Sequence, residues 1–314
     1  DRLARNGHQV RIWAYEPEVA DSINSSHTNR FLNGISLAPS LTASTDIREV
    51  VAGSAFVVLV APSHVTRAVA EAAQPHLSRD AVIVVASKGI EQHSLARMSQ
   101  IAEDVFDRTG AVALSGPTFA VEVARGQPSA IVAACVDRGP AEQVQQLFHG
   151  PAFRVYTQHD VVGVELGGAV KNVMALATGI AEGLELGFNA RAALITRGLA
   201  EMTRLGIALG ADSATFAGLA GVGDLVLTCT GQLSRNRALG VEIGRGKTLD
   251  EALAGRETVA EGVITTRSAK ALAERVGVTM PIVDAAFSVL FDGQSARDAI
   301  VDLMNRDPRP ERDE

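Results

Sequence analysis

A doubly wound α/β sheet followed by an all-helical domain is the fold this sequence predicts, and three observations carry the prediction. Short apolar runs alternate with helical patterns through the first half of the chain. Near residue 160 that rhythm stops, and long segments of 3.6-residue period take over. The length, 314 residues, fits about two domains better than one.

The chain opens "DRLARNGHQVRIWAYEPE". Residues 1–5 read as the end of a helix, closed at Gly7, where a C-terminal cap wants positive φ. Residues 9–14 follow as a β-branched and aromatic strand that Glu16-Pro17 ends. The next strand candidates are 56–60 (FVVLV), 82–86 (VIVVA), 112–115 (VALS) and 130–136 (AIVAACV). Continuous apolar runs suit strands covered on both faces, as in a parallel sheet. Helical patterns at 63–76, 92–108 and 140–149 supply the crossovers. A chain that opens on the last turns of a helix is expected to lack what precedes that helix.

In the second half, 166–187 reads as a helix in which Ala175, Gly179 and Gly183 recur every four positions. Each interior Gly costs about 1 kcal/mol relative to Ala. Close packing of another helix or of a ligand must offset that, and a packed helix is the simpler reading. "NARAALITRGLAEMTRLGIALG" is one further helix, with Asn189 expected as its N-cap and Gly210 just past its end. The expected division is a sheet domain over 1–162, a helical domain over 163–305 and a polar tail over 306–314.

Composition excludes some partners. Net charge is −7 and no Lys/Arg run exceeds two residues, which argues against a nucleic-acid surface. No stretch offers the roughly 18 to 20 uninterrupted apolar residues of a membrane span. Cys135 and Cys229 are far apart and match no metal spacing, so no metal is expected, and two free thiols suit a reducing cytoplasm. Aromatic residues are only 4%, so Ala, Val, Leu and Ile must build the core.

Three stretches place polar residues where the pattern expects core. In "VIVVASKGIE" a buried strand delivers Lys88 to its carboxyl edge, where open α/β sheets bind ligands. A loop lysine is more often merely solvated. Lys171-Asn172 sits among Val170, Val173, Met174 and Leu176. A desolvated lysine there gains a lowered pKa and becomes a general acid/base, whereas one at the helix rim would snorkel to water. In "AGVGDLVLTCTGQLSRNRALG", Gly221 and Gly223 lead to Asp224, and Ser234 reads as an N-cap. Free N–H groups at that helix start, beside Arg235 and Asn236, suit an anion such as phosphate. In "SGPTFAVEVARGQP", Gly116-Pro117-Thr118 occupy another strand edge. Together these residues outline a pocket for a small phosphorylated carbonyl or alcohol.

The stretches "SKGIE", "SGPTFAVEVARGQP", "GVELGGAVKNVMALATGIAEGL", "NARAALITRGLAEM", "GVGDLVLTCTGQLSRNR" and "VAPSHV" together resemble bacterial NAD(P)-dependent glycerol-3-phosphate dehydrogenases. The resemblance runs from the first residue to about residue 305. It implies a Rossmann domain followed by a helical domain, a cytoplasmic homodimer without membrane insertion, and NAD or NADP as cofactor. It also implies interconversion of dihydroxyacetone phosphate, a triose phosphate, and sn-glycerol 3-phosphate for phospholipid synthesis. By the same resemblance Lys171 is the general acid/base, Lys88 holds the reacting oxygen near the cofactor, and Asp224 orients Lys171. Gly116, Thr118, Asn172, Thr228, Ser234, Arg235 and Asn236 fall on substrate positions. Tyr15, Ala120, Val259 and Glu261 fall on cofactor positions, with Lys88 and Arg235 shared.

Two departures from the family pattern matter. The first strand and the G-x-G-x-x-G turn expected ahead of Gly7 are not in the sequence. In a 3-2-1-4-5-6 strand order, that strand would lie between 9–14 and 56–60. A gap there, with weak dinucleotide binding, is the expectation. The resemblance leans slightly toward NADPH; Tyr15 stands where relatives often carry a basic residue, which leaves NAD and NADP both open, while Glu16 tilts weakly toward NAD. Rival readings are another two-domain dehydrogenase acting on a phosphorylated or hydroxy-acid substrate, and a non-catalytic nucleotide-binding relative.

Overall fold

The computed structural model describes residues 1–256, 260–308 and 310–311. Among the described residues, seven strands form two sheets. β1 (Val10–Trp13) pairs in parallel with β2 (Leu41–Ser44), with Val10 opposite Leu41. The second sheet runs in the order β3 (Phe56–Leu59), β4 (Val82–Val85), β5 (Val112–Ser115), β6 (Ser129–Ala134) and β7 (Phe153–Gln158). Its first three strands are parallel, with Phe56 opposite Val82 and Val84 opposite Val112. Among the described residues no ladder joins the two sheets, and the division falls between β1 and β3. The small sheet has its own core around Ile23, Ile35, Leu37 and Leu41.

Seven helices accompany these strands: α1 (Arg2–Arg5), α2 (Pro17–Ser26), α3 (Ile47–Val51), α4 (Thr66–Ala73), α5 (Met98–Phe106), α6 (Ala120–Ala124) and α7 (Arg138–Phe148). Pro17 opens α2 at a position where its missing N–H costs nothing, and Gly7 follows α1 at φ +90°. The helical pattern at 92–108 yields a shorter helix, because residues 91–97 fold as a loop first.

The structure corrects four expectations. β6 runs antiparallel to β5. The link between them holds only the five-residue α6, so the chain stays at one sheet edge instead of crossing back. β2 and β7 were not expected. "LTAS" carries little apolar signal and is a strand by its pairing with β1, while "FRVYTQ" alternates buried and exposed residues as a half-covered strand does. Asn189 does not cap a helix, since that helix begins at Gly187.

From Val161 onward the regular elements among the described residues are all helices. The helices are α8 (Val161–Gly183), α9 (Gly187–Ala208), α10 (Ser213–Phe216), α11 (Asp224–Thr230), α12 (Arg235–Gly244), α13 (Leu249–Leu253), α14 (Glu261–Val276), α15 (Pro281–Phe291) and α16 (Ala296–Met304). α8 is the axis of this half. It is long and apolar enough to cross a membrane, yet most of it is buried inside the protein, and its interior carries Glu165 and Lys171. Its small-residue stripe is explained by α12. A Cβ on Gly179 would lie 2.2 Å from the Arg237 carbonyl oxygen, and one on Gly240 would lie 2.2 Å from that of Leu176. Reciprocal glycines let the two backbones touch, which fixes α12 and its N-terminus against α8 at the level of Asn172.

Candidate active site

The site assembles where the carboxyl edge of the larger sheet meets α8, α11 and the start of α12. Beyond β4 the chain presents Lys88 and then Gly89 at φ +156°, where a Cβ would lie 2.4 Å from that of Ser63. Beyond β5 comes Gly116 at φ +149°, where a Cβ would lie 2.9 Å from the Ile131 Cα. Only glycine fits either bend. From the helical half, α8 supplies Lys171, and a π-turn at Leu219–Gly223 delivers Asp224 to the start of α11. Gly221 breaks that turn with its Cα packed on the Phe216 backbone, where a Cβ would fall 2.1 Å from the Phe216 carbonyl oxygen.

Asp224 is the hub, with 0% of its surface exposed. Its Oδ1 accepts from Lys171 Nζ at 2.5 Å and its Oδ2 from Lys88 Nζ at 2.6 Å. Lys171 Nζ also donates to Thr228 Oγ1 at 2.9 Å, and Lys88 Nζ to the Gly116 carbonyl oxygen at 3.2 Å. The two ammonium groups therefore flank one dry carboxylate. Thr118 Oγ1 donates to the same Gly116 oxygen at 3.2 Å.

Electrostatics follow from this crowding. Lys171 is 7% exposed, so it is not a snorkelling lysine. Burial, and then the charge of Lys88, bring its pKa from 10.5 down to about 7, against the pull of Asp224. Burial opposes ionisation of Asp224, but the two lysines overcome it and hold the carboxyl below its usual range. The neighbouring Cys229 thiol is pushed up to about 12 by burial, which makes it inert.

The start of α12 adjoins this hub. Ser234 caps the helix, its Oγ accepting from the Arg237 N–H at 3.2 Å. Asn236 Nδ2 donates to Asn172 Oδ1 at 3.0 Å, and its Oδ1 accepts from the Gly262 N–H at 2.9 Å. Asn172 Nδ2 has no hydrogen-bond partner among the described residues. Arg235 is exposed at the first helical position and makes no ion pair with them. The sequence-derived residues Lys88, Gly116, Lys171, Asn172, Asp224, Thr228 and Asn236 are thus joined in two linked networks.

The cofactor positions are more dispersed. Tyr15 lies just beyond β1, 80% exposed, and Ala120 opens α6. Val60, directly after β3, is 69% exposed. Two large uncovered side chains at the carboxyl edges of β1 and β3 fit a dinucleotide laid across those edges. Glu261 opens α14, and its carboxylate accepts from the Ser63 N–H at 3.0 Å and Ser63 Oγ at 2.6 Å. Ser63 escaped the sequence reading, because nothing in "APSHV" marks its partner 198 residues away. Val259 lies outside the described residues.

A doubly wound nucleotide-binding domain that lends one lysine to a buried lysine–aspartate pair on a helical domain defines a dinucleotide-dependent dehydrogenase. The family model for the N-terminus of NAD-dependent glycerol-3-phosphate dehydrogenase matches residues 1–141, and that for its C-terminus matches 160–301. The chain belongs to the NAD-dependent glycerol-3-phosphate dehydrogenase family. It is 51% identical over 317 residues to a glycerol-3-phosphate dehydrogenase (NAD(P)+) of Syntrophotalea carbinolica, covering 100% of this chain and 95% of that one. The crystal structure of glycerol-3-phosphate dehydrogenase from Coxiella burnetii superposes with a TM-score of 0.93 at 36% identity, covering 97% of this chain and 94% of that one. A ketopantoate reductase from Ralstonia eutropha shares the fold alone, with a TM-score of 0.58 at 15% identity over 97% of this chain and 94% of its own.

Proposed function

We propose that this chain interconverts dihydroxyacetone phosphate and sn-glycerol 3-phosphate, with Lys171 as the group that moves the proton at C2. The observation that carries the reading is the shared carboxylate: Asp224 holds Lys171 and Lys88 side by side in a dry site. A bound nicotinamide dinucleotide, NAD or NADP, supplies or accepts the hydride. Tyr15, Val60, Ala120, Lys88, Arg235 and Glu261 would hold it, together with Val259.

In the reductive direction, protonated Lys171 donates its proton to the C2 oxygen as negative charge grows there. In the oxidative direction, neutral Lys171 takes the hydroxyl proton. A pKa near 7 lets one amine serve both directions near neutral pH. Lys88 holds the same oxygen, and a preorganised donor of this kind is worth roughly 3 to 4 kcal/mol. Gly116 and Thr118 wall the pocket.

At its far side the substrate phosphate meets Ser234, Arg235, the Asn172 amide and the α12 N-terminus. Holding the phosphate away from C2 fixes orientation, so weakening it costs turnover as well as affinity. The phosphate cluster favours a triose phosphate over a plain hydroxy acid. A homodimer in the cytoplasm completes the reading, and two buried free thiols support the compartment.

Purified chain supplied with NADPH is expected to consume it with dihydroxyacetone phosphate and to leave non-phosphorylated ketones and 2-keto acids untouched. Oxidation of NADPH by one of those carbonyls, without dihydroxyacetone phosphate turnover, would overturn the substrate assignment.

A further inference from the structure

Lys88 and Lys171 sit on different halves of the chain, so something must fix the loop that carries Lys88 against α8. That loop, residues 86–97, is docked into the helical half. Ile90 is fully buried within the hydrophobic core built around α8, and Leu95 packs on the same cluster. A backbone bridge between Ile90 and Arg97 closes the loop on itself. At its end stands a second buried carboxylate, Glu165 of α8, six residues before Lys171. Glu165 accepts from the Ser99 N–H at 2.7 Å, from Ser99 Oγ at 2.5 Å and from the Arg97 guanidinium. Every one of these partners lies at the start of α5, on the other half of the chain. Glu165 touches neither lysine.

We propose that Glu165 is a positioning residue: its clasp on Arg97 and Ser99 pins the 86–97 loop to α8 and so sets Lys88 beside Lys171. The clasp is rigid because it is dry and fully paired. A buried carboxylate with three donors and little solvent has no alternative arrangement of similar energy. Loosening it lets the loop, and Lys88 with it, move away from Lys171. The groups that bear on the Lys171 charge are Lys88 from this loop, and Asp224 and Cys229 from α11. Of these, only Lys88 depends on the clasp. It is also the one whose charge opposes protonation of Lys171.

The inference rests on the proposed roles of the two lysines, and its test reads Lys171 without substrate or cofactor. The chain has four lysines, at 88, 171, 247 and 270, so ε-13C-lysine labelling resolves them by NMR, with Lys171 identified by Lys171→Arg. In Glu165→Gln, the Lys171 titration is expected to move up by about one unit. In the same variant kcat is expected to fall about 10- to 100-fold, while KM for dihydroxyacetone phosphate changes by less than about threefold. Ser99→Ala removes the hydroxyl's bonds to Glu165 and from the Arg97 guanidinium but leaves the Ser99 N–H and Arg97 contacts to Glu165, and is expected to give a smaller shift in the same direction. It decides the matter if Glu165→Gln does not fold. A Lys171 titration that stays in place in the folded variants, with only the melting temperature lowered, would overturn the positioning role. If the titration moves while dihydroxyacetone phosphate is not a substrate, the clasp stands and the proposed reaction fails.

Discussion

Replacing Lys171 with Ala lowers kcat for dihydroxyacetone phosphate reduction by about 10³- to 10⁴-fold, the upper range for loss of a positioned general acid. Dinucleotide affinity, read by fluorescence titration, stays within a few-fold of the parent chain if, as proposed, Lys171 serves the substrate side of the pocket. The fold survives. Asp224 keeps Lys88 as its counter-charge at 2.6 Å, and Thr228 Oγ1 keeps its bond to the Asp224 carbonyl oxygen at 2.6 Å. Near-parental turnover in this variant would remove Lys171 from the proton-transfer role.

Asp224→Asn is expected to act on stability and activity together. The amide keeps the shape but withdraws the carboxylate that joins the two lysines. Breaking a buried ion pair from one side costs about 3 to 5 kcal/mol, because a charge is left without compensation. Lys171 relieves part of this by losing its proton more readily, since Asp224 is the group that favours its charged form. Turnover falls about 10²- to 10³-fold, and the thermal unfolding midpoint falls with it. A variant that melts like the parent would show that the two ammonium groups do not depend on this carboxylate.

These two results separate what was legible in the sequence from what was not. The strands at 82–85 and 112–115 could be read because both their faces are largely covered and all their residues but Ser115 are apolar. β2 could not, since only its register against β1 makes "LTAS" a strand. The antiparallel turn of β6 was hidden too, because an apolar run does not record its own direction. The glycine stripe of α8 announced a close neighbour, and α12 is that neighbour.

The site shows the same split. Lys88, Lys171 and Asp224 stood out as charges within apolar stretches. That both lysines share Asp224 is a property of tertiary packing across 136 and 53 residues of separation. Glu165, in "GVELGG", stood just ahead of the helix read over 166–187, and only the earlier start of α8 at Val161 places it inside a core helix. Its partners Arg97 and Ser99 lie on another element, and no local pattern links them. Glu261 shows the reverse. Its position matched a cofactor contact, and the structure adds a bidentate hold on Ser63.

The central claim is that burial and Lys88 prime the Lys171 amine as a proton carrier near neutral pH. With Lys171 folded at about 7, it is mostly protonated at pH 6 and mostly neutral at pH 8. Reductive kcat/KM therefore falls, and oxidative kcat/KM rises, as pH increases through that value. The most direct test is the ε-13C NMR titration of the lysine-labelled chain. A Lys171 resonance with its midpoint near pH 7 is the predicted result. A midpoint above pH 10 would contradict the account.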